Sequence, residues 1–125
     1  MPSEPLGILL ISGGHERAHY AFVLATAAAA LGRDVTLFAT NAGCRALLAD
    51  AACLDAGREA LLAQRGVATL ATLREAAREL GIRMIACEAG LRAEALDSAA
   101  VMPGVEIAGA ATFLAATRGG QMLSL

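Results

Sequence analysis

The amino-acid sequence predicts an α/β fold of three layers: a parallel sheet of about five strands, Rossmann-like or flavodoxin-like, with helices on both faces. Three observations lead to this prediction. Short apolar runs alternate with helical patterns along the chain, and glycines follow the predicted helices. The chain has 125 residues without an internal repeat, a low-complexity tract or a linker, so we expect a single domain over residues 1–125.

The N-terminal part predicts a strand, a helix and a second strand. Residues 7–12 (GILLIS) form a continuous apolar run before a glycine pair, which is typical of a buried parallel strand. Residues 18–31 predict a helix that ends at Gly32. Because this helix is apolar nearly all round, we expect the sheet to cover one face and a neighbouring subunit to cover another. Residues 34–40 (DVTLFAT), rich in β-branched and aromatic side chains, predict the second strand.

The middle of the chain predicts helices. Residues 43–66 indicate one or two short helices, broken near Gly57. Residues 69–80 give the clearest helical pattern, which ends at Gly81. Its apolar face comprises Leu70, Leu73, Ala77 and Leu80, and its polar face comprises Arg74, Glu75, Arg78 and Glu79.

The C-terminal part returns to alternation of strands and helices. The predicted strands are residues 82–87 (IRMIAC) and 121–125 (QMLSL), and residues 105–109 (VEIAG) form a short strand or an extended segment. The predicted helices are residues 88–96 and 108–117, with a turn at Pro103 and Gly104 between them.

Chemistry in a parallel sheet gathers beyond the carboxyl ends of its strands. Two cysteines, Cys44 and Cys87, follow or end predicted strands and are expected at this edge. The predicted pocket beside them comprises Gly13, Gly14, His15, Asn41, Glu88 and Arg92.

The string HERAH gives His15, Glu16 and His19 the H-E-x-x-H spacing of zinc proteases. A catalytic zinc site needs both histidines on one face of an established helix, and a third ligand. Gly13 and Gly14 place His15 in a turn, or at best in the first helical turn, and the chain has only 2 histidines. We therefore predict no metal site and no metalloprotease. The polar turn is either an anion site or solvated structure.

Cys87 is predicted to end a strand and to begin a helix. Its thiol would then face the free N–H groups and the positive end of the helix dipole, which favour a nucleophilic thiolate. Arg92 adds positive potential there, whereas the carboxylate of Glu88 opposes it. The alternative is a buried, inert cysteine that only packs.

The other two cysteines have weaker signals. Cys44, in TNAGC, is a candidate resolving partner or second sulfur acceptor for Cys87, or a helix-start cysteine without a role. Cys53 lies in an apolar run and is predicted to pack in the core. The sequence contains no C-x-x-C, which disfavours structural zinc and a thioredoxin-type dithiol, and the odd number of cysteines suits a reducing cytoplasm.

Composition excludes several classes of function. A net charge of -2, 1 tyrosine and no tryptophan disfavour nucleic-acid binding. All basic residues are arginine, so neither a Schiff-base lysine nor a P-loop lysine is present. The N-terminus does not resemble a signal peptide, and the longest apolar run is too short to span a bilayer. We expect a cytoplasmic protein without cofactor, nucleic-acid partner or membrane partner.

Three segments resemble the DsrE/DsrF-like sulfur-relay family: GILLISGGHERAHYAFVLATAAAALGRDVTLF, ELGIRMIACEAGLRAEALDS and VEIAGAATFLAATRGGQMLSL. The resemblance covers most of the chain except about residues 41–66. It implies a compact α/β domain that assembles into homo-oligomers, commonly trimers or hexamers, and a persulfide on the cysteine at the place of Cys87. Family members without that cysteine have no established activity. This sequence departs from the pattern at Glu88 and at the loop with His15, Glu16 and His19.

These observations lead to two functional hypotheses. In the first, the protein is a sulfurtransferase-like relay in which Cys87 takes a sulfur from a donor protein and yields it to an acceptor protein. The N–H groups of Glu88 and Ala89 would stabilise the anion, and His15 could shuttle a proton. In the second, the protein is a non-catalytic oligomeric module that binds a small anion or metal through residues 12–15 and 41–44.

Overall fold

The computed structural model describes residues 4–50 and 54–125. Cys53, which was predicted to pack in the core, lies outside the described residues, as does part of the segment 43–66.

The predicted parallel sheet is confirmed. It contains five strands, all parallel, in the order β4-β3-β2-β1-β5. The strands are β1 (Leu6–Leu10), β2 (Val35–Ala39), β3 (Arg83–Cys87), β4 (Glu106–Ala108) and β5 (Gln121–Ser124). The segment 105–109 is therefore a strand at one edge of the sheet, paired with β3.

In the part of the chain that the structure describes, five α-helices and two 3-10 helices connect the strands. The α-helices are α1 (His15–Ala30), α2 (Ala56–Gln64), α3 (Leu70–Glu79), α4 (Glu88–Ala93) and α5 (Ala110–Ala116). The 3-10 helices are Asn41–Leu47 and Ser98–Ala100. Among the described residues, every helix is too short or too polar to span a lipid bilayer.

Helices lie on both faces of the sheet. Because side chains alternate along a strand, Ile8 and Leu10 face the same side and join Phe22 of α1 and Leu70 of α3 in the main core. On the other face, Phe38 of β2 stacks on Phe113 of α5, with ring centroids 4.9 Å apart. This second core is smaller, because α5 has only 7 residues.

The first helix starts earlier than predicted, at His15, with Gly14 as its N-cap. We expected a neighbouring subunit to cover the apolar face that the sheet leaves free. Within the chain itself, α3 packs against α1 and covers much of that face. Tyr20 of α1 nevertheless remains 54 % exposed, so the cover of α1 by a neighbouring subunit stays a prediction.

Two short helices are observed in this part of the described chain, and the break that the sequence predicts near Gly57 lies just before Asp55. Asp55 is the N-cap of α2, since its Oδ1 accepts the N–H of Arg58 at 2.9 Å, and Gly57 lies inside the first turn. The chain bends before Asp55 because a side-chain cap starts the helix there, which is a stronger signal than a glycine in a first turn.

Two side chains, one in α3 and one at its C-cap, differ in exposure from the prediction. Arg74 is only 5 % exposed, although it was predicted on the polar face. Its Nη2 donates to the carbonyl of Leu48 at 2.6 Å, and its aliphatic stem packs in the interior. Leu80, predicted on the apolar face, is the C-cap of α3 and is 46 % exposed.

Candidate functional site

The loops after β1, β2 and β3 meet at the carboxyl edge of the sheet, as predicted. Glycines allow their close approach. A Cβ on Gly43 would lie 2.2 Å from the carbonyl oxygen of Leu10, and a Cβ on Gly13 would lie 2.9 Å from the Cβ of Ala42. Any side chain at Gly43 would therefore push the 3-10 helix Asn41–Leu47 away from β1.

Gly90 holds α4 against the end of β2. A Cβ on Gly90 would lie 2.5 Å from the main-chain nitrogen of Asn41 and 2.8 Å from Oγ1 of Thr40. Asn41 has a φ of 51°, in the left-handed region that asparagine tolerates better than most residues. The sharp turn at Asn41 and the bare backbone at Gly90 bring the 3-10 helix and α4 into contact.

Cys87 is the last residue of β3 and the N-cap of α4. The main-chain N–H of Gly90 donates to its Sγ at 3.4 Å. The predicted strand-end, helix-start position is therefore the one observed. The thiol is not in an open pocket, however: Cys87 is 9 % exposed and packs with Phe38, Ile85 and Phe113.

Cys44 lies close to Cys87. It belongs to the 3-10 helix Asn41–Leu47, is fully buried, and its Sγ lies 3.5 Å from the carbonyl oxygen of Ala39. Burial raises the pKa of the Cys44 thiol to about 11, although the main-chain N–H of Cys87 faces the sulfur and acts in the opposite direction. The structure thus places both cysteines at one edge of the sheet, with Cys44 in the main core and Cys87 in the smaller core on the other face.

The remaining residues of the predicted pocket fall into two places. Glu88 and Arg92 are exposed on α4 and form an ion pair at 3.3 Å. They border a groove of about 400 Å³, whose lining is completed by Leu91, Leu96, Ser98 and Ile107. Gly13, Gly14, His15 and Asn41 lie outside this lining, as does Cys87.

His15 is turned toward α2. It is 7 % exposed, and its Nε2 lies 2.6 Å from Oε1 of Glu59. The same carboxylate accepts the N–H groups of Leu70 at 2.7 Å and of Ala71 at 3.2 Å, at the start of α3. Burial alone would raise the pKa of Glu59, but the hydrogen bonds from His15 and from the two N–H groups outweigh it and lower the pKa.

The second histidine, His19, stacks on the first and bonds a main-chain carbonyl. The ring of His19 stacks on that of His15 with centroids 5.7 Å apart, and its Nε2 donates to the carbonyl of Ala68 at 2.8 Å. Both histidines therefore lie on one face of α1, as a zinc protease would require. Within residues 4–50 and 54–125, no group of three or more histidine, cysteine or carboxylate side chains is arranged to hold a metal ion.

The sequence did not predict two carboxylates of this region, Glu59 and Glu94, as side-chain partners of His15 and Arg45. Glu59 is separated from His15 by 44 residues, and Glu94 pairs with Arg45 at 2.6 Å across 49 residues. Neither pair has a short-range spacing that would reveal it. The Arg45–Glu94 pair ties the 3-10 helix Asn41–Leu47 to the C-terminal end of α4, next to Cys44.

Comparison with known proteins gives a family and a fold. A model of the DsrE/DsrF-like family matches residues 6–123. No curated protein matches the chain. The crystal structure of the ychN protein from E. coli is similar with a TM-score of 0.76 and 15% identity, covering 100% of both chains.

A second solved structure is the protein of unknown function MTH1491 from Methanobacterium thermoautotrophicum. Its TM-score is 0.60 and its identity 16%, covering 98% of this chain and 100% of that one. At such low identity, both likenesses concern the fold.

Proposed function

This chain belongs to the DsrE/DsrF-like family, and we propose that it is a sulfur-relay protein that carries a persulfide on Cys87. The proposal includes a sulfur donor and a sulfur acceptor protein, assembly into a homo-oligomer and a cytoplasmic location.

The position of Cys87 supports this proposal. An N-cap cysteine whose Sγ accepts the N–H of Gly90 has a donor already directed at the sulfur. A hydrogen bond to an anionic acceptor is stronger than one to a neutral acceptor, so this N–H stabilises a thiolate or a persulfide anion more than a thiol. Because α4 has only 6 residues, we assign the effect to this N–H and its neighbours, not to a long helix dipole.

The transfer consists of two exchange steps. The thiolate of Cys87 attacks the outer sulfur of a donor persulfide, R–S–SH; the donor S–S bond breaks and the donor leaves as its thiolate. Cys87 then bears the outer sulfur as Cys87–S–SH. An acceptor thiolate attacks that outer sulfur, and Cys87 leaves as the thiolate, ready for another cycle.

The low exposure of Cys87 limits which donors can react. With 9 % of its surface accessible, the sulfur is reached either by a small donor or after α4 moves. Opening of α4 breaks its contacts with the 3-10 helix Asn41–Leu47, including the Arg45–Glu94 ion pair, so a small donor is expected to react more readily than a protein donor. Inorganic polysulfide is therefore the donor for a first test.

Mass spectrometry of tryptic peptides tests the proposal directly. Cleavage after arginine places Cys44, Cys53 and Cys87 on three separate peptides, residues 34–45, 46–58 and 84–92. After incubation with polysulfide, we expect peptide 84–92 to gain the mass of one sulfur atom and to lose it when an acceptor thiol is added. Two results together would refute a carrier role for Cys87. Peptide 84–92 of the wild type would gain no sulfur, and the other cysteine peptides would still gain sulfur in Cys87→Ser.

The packing of Cys87 against Phe38, Ile85 and Phe113 favours a second candidate. In it, the protein is a non-catalytic oligomeric module that binds a small anion, and Cys87 only packs. Iodoacetamide distinguishes the two. Modification of native Cys87 at a rate comparable to that in urea favours the relay, whereas protection by several orders of magnitude favours the binding module.

A further inference from the structure

The relay needs only one thiol, yet a second one lies beside Cys87. The 3-10 helix Asn41–Leu47 packs on both β3 and α4, the two elements that Cys87 joins. Its cysteine, Cys44, contacts the carbonyl of Ala39 and faces the main-chain N–H of Cys87. No step of the proposed relay uses this thiol.

We propose that Cys44 is the resolving thiol of Cys87: it attacks the Cys87 persulfide, forms a Cys44–Cys87 disulfide and releases hydrogen sulfide. This inference rests on the proposed function, since the relay supplies the persulfide. When no acceptor protein takes the sulfur, it leaves as sulfide. The carrier then remains as the Cys44–Cys87 disulfide.

The step balances without an external oxidant. The Cys44 thiolate attacks Sγ of Cys87, the inner sulfur; the bond between Sγ and the outer sulfur breaks, and the outer sulfur leaves as hydrosulfide. The proton lost by Cys44 is taken up by the leaving hydrosulfide through solvent. The sulfane sulfur is reduced to sulfide while the two cysteines are oxidised to a disulfide.

The packing around Cys44 favours attack on the inner sulfur. Cys44 is 0 % exposed and is enclosed by the main core. Transfer of the outer sulfur to Cys44 would add an atom to this closely packed interior, which strains its surroundings. A disulfide adds no heavy atom to this interior.

The geometry requires a local movement of Cys87. Sγ of Cys44 faces the main-chain nitrogen of Cys87, which is linked to that residue's own Sγ through Cα and Cβ. The Cys87 side chain packs with Phe113 on the α5 face of the sheet, whereas Cys44 lies in the main core on the opposite face. Closure therefore requires a backbone movement at the junction of β3 and α4, with loss of the hydrogen bond of 3.4 Å from the N–H of Gly90 to Sγ of Cys87. Disulfide closure requires a Cα–Cα separation of about 4.4–6.8 Å, so the movement has to bring the two main chains to that distance.

The protonation of Cys44 makes this step slow at neutral pH. Because burial raises the pKa of Cys44 to about 11, little thiolate is present, and an acceptor protein has time to collect the sulfur first. The rate of closure should rise about tenfold per pH unit between roughly pH 7 and 9, as the thiolate fraction does.

The experiment follows sulfide release and peptide linkage together. Protein loaded with polysulfide is freed of reagent and incubated without acceptor, and its unreduced tryptic peptides are mapped. We expect peptides 34–45 and 84–92 to become joined by a disulfide, with one sulfide released per link and a rate that rises with pH. Cys53→Ser is the matched control and should behave like wild type, whereas Cys44→Ser and Cys44→Ala should keep the persulfide on 84–92.

The outcomes separate this inference from the proposed function. If 84–92 gains sulfur but never links to 34–45, or if closure is independent of pH, the resolving role is refuted and the carrier role stands. If the extra sulfur moves to 34–45, Cys44 is an acceptor and the inference is wrong. If 84–92 takes up no sulfur at all, the carrier role fails, and diamide oxidation of the wild type still shows whether the two thiols can join; no diamide link refutes the juxtaposition itself.

Discussion

Glu59 connects three helices through one carboxylate. It lies on α2, its Oε1 contacts His15 of α1, and its two oxygens accept N–H groups at the start of α3. Its side chain is 11 % exposed and that of His15 is 4 % exposed, so solvent competes little with these bonds. Removing one side chain of such a buried network leaves the other polar groups without a hydrogen-bond partner. The resulting loss in free energy of unfolding is larger than the net contribution of the intact network.

We therefore expect Glu59→Gln to lower the free energy of unfolding at pH 7 by about 1–3 kcal/mol. Glutamine keeps the shape but loses the charge and one of the acceptor oxygens. Urea denaturation followed by circular dichroism measures the change. The control is Glu106→Gln, which breaks the exposed pair with Arg83 at 2.6 Å and should cost no more than about 1 kcal/mol.

The contribution of Glu59 to the free energy of unfolding should decrease as the pH falls. Its pKa is lower in the folded protein than in the unfolded chain, so the unfolded state takes up the proton first as pH falls. Its contribution is complete above the ordinary carboxyl pKa and is lost as pH falls through the lowered folded value. The difference between wild type and Glu59→Gln should shrink in acid; a difference that grows would contradict this assignment.

At the scale of elements, α4 is positioned by the absence of a side chain at Gly90. A methyl group there would meet the main-chain nitrogen of Asn41 at 2.5 Å, and a backbone atom cannot move aside as a flexible side chain can. Gly90→Ala should therefore displace α4, weaken the N–H contact to Cys87 and lower the free energy of unfolding by about 1–3 kcal/mol.

Gly57→Ala is the matched control for this prediction. Gly57 also lies in the first turn of a short helix, but a Cβ there meets only Oδ1 of Asp55, at the ordinary distance of 3.5 Å. Alanine favours helix more than glycine, so we expect anything from no change to a gain of about 1 kcal/mol. Equal stability losses in both variants would show that the space around Gly90 is not the cause.

Elements that carry their own signal could be predicted from the sequence. The strands β1, β2 and β3 were found within one or two residues, because buried parallel strands are continuous apolar runs. In the segment 43–66, short helices were predicted but their bounds and the 3-10 geometry were not, because the 3-10 helix is held by distant contacts such as that of Gly43 with β1. The burial of Arg74 likewise depends on Leu48, a partner that no helical periodicity reveals.

At the scale of the whole molecule, the same distinction applies to the candidate site. Parallel strands end at one edge of the sheet, so a common edge for Cys44 and Cys87 could be predicted, whereas the adjacency of β2 and β3 could not, because strand order was left open. The partner of His15 did not follow, because Glu59 lies on a helix whose orientation the strand order does not determine. The parallel arrangement thus predicts the edge at which the loops meet, while the direction of each side chain depends on packing between helices.

The second face of the sheet supports the proposal of a homo-oligomer better than α1 does. A Cβ on Gly7 would meet Thr117 and Phe113, so Gly7 faces α5, and Met122 lies beside Gly7 in the sheet register. Met122 is 45 % exposed and Leu114 of α5 is 57 % exposed, which leaves an apolar surface next to the short helix. Such a surface is typical of contacts between subunits.

Leu114→Glu should therefore lower the molecular mass measured by light scattering at micromolar concentration, because a carboxylate in an apolar contact loses its hydration without gaining a partner. The matched control is Leu31→Glu, the same change at the C-cap of α1, where the side chain is 82 % exposed. It should leave a trimer or hexamer intact. A monomeric wild type at this concentration would contradict the assembly, and equal loss of assembly in both variants would place the contact elsewhere than on the α5 face.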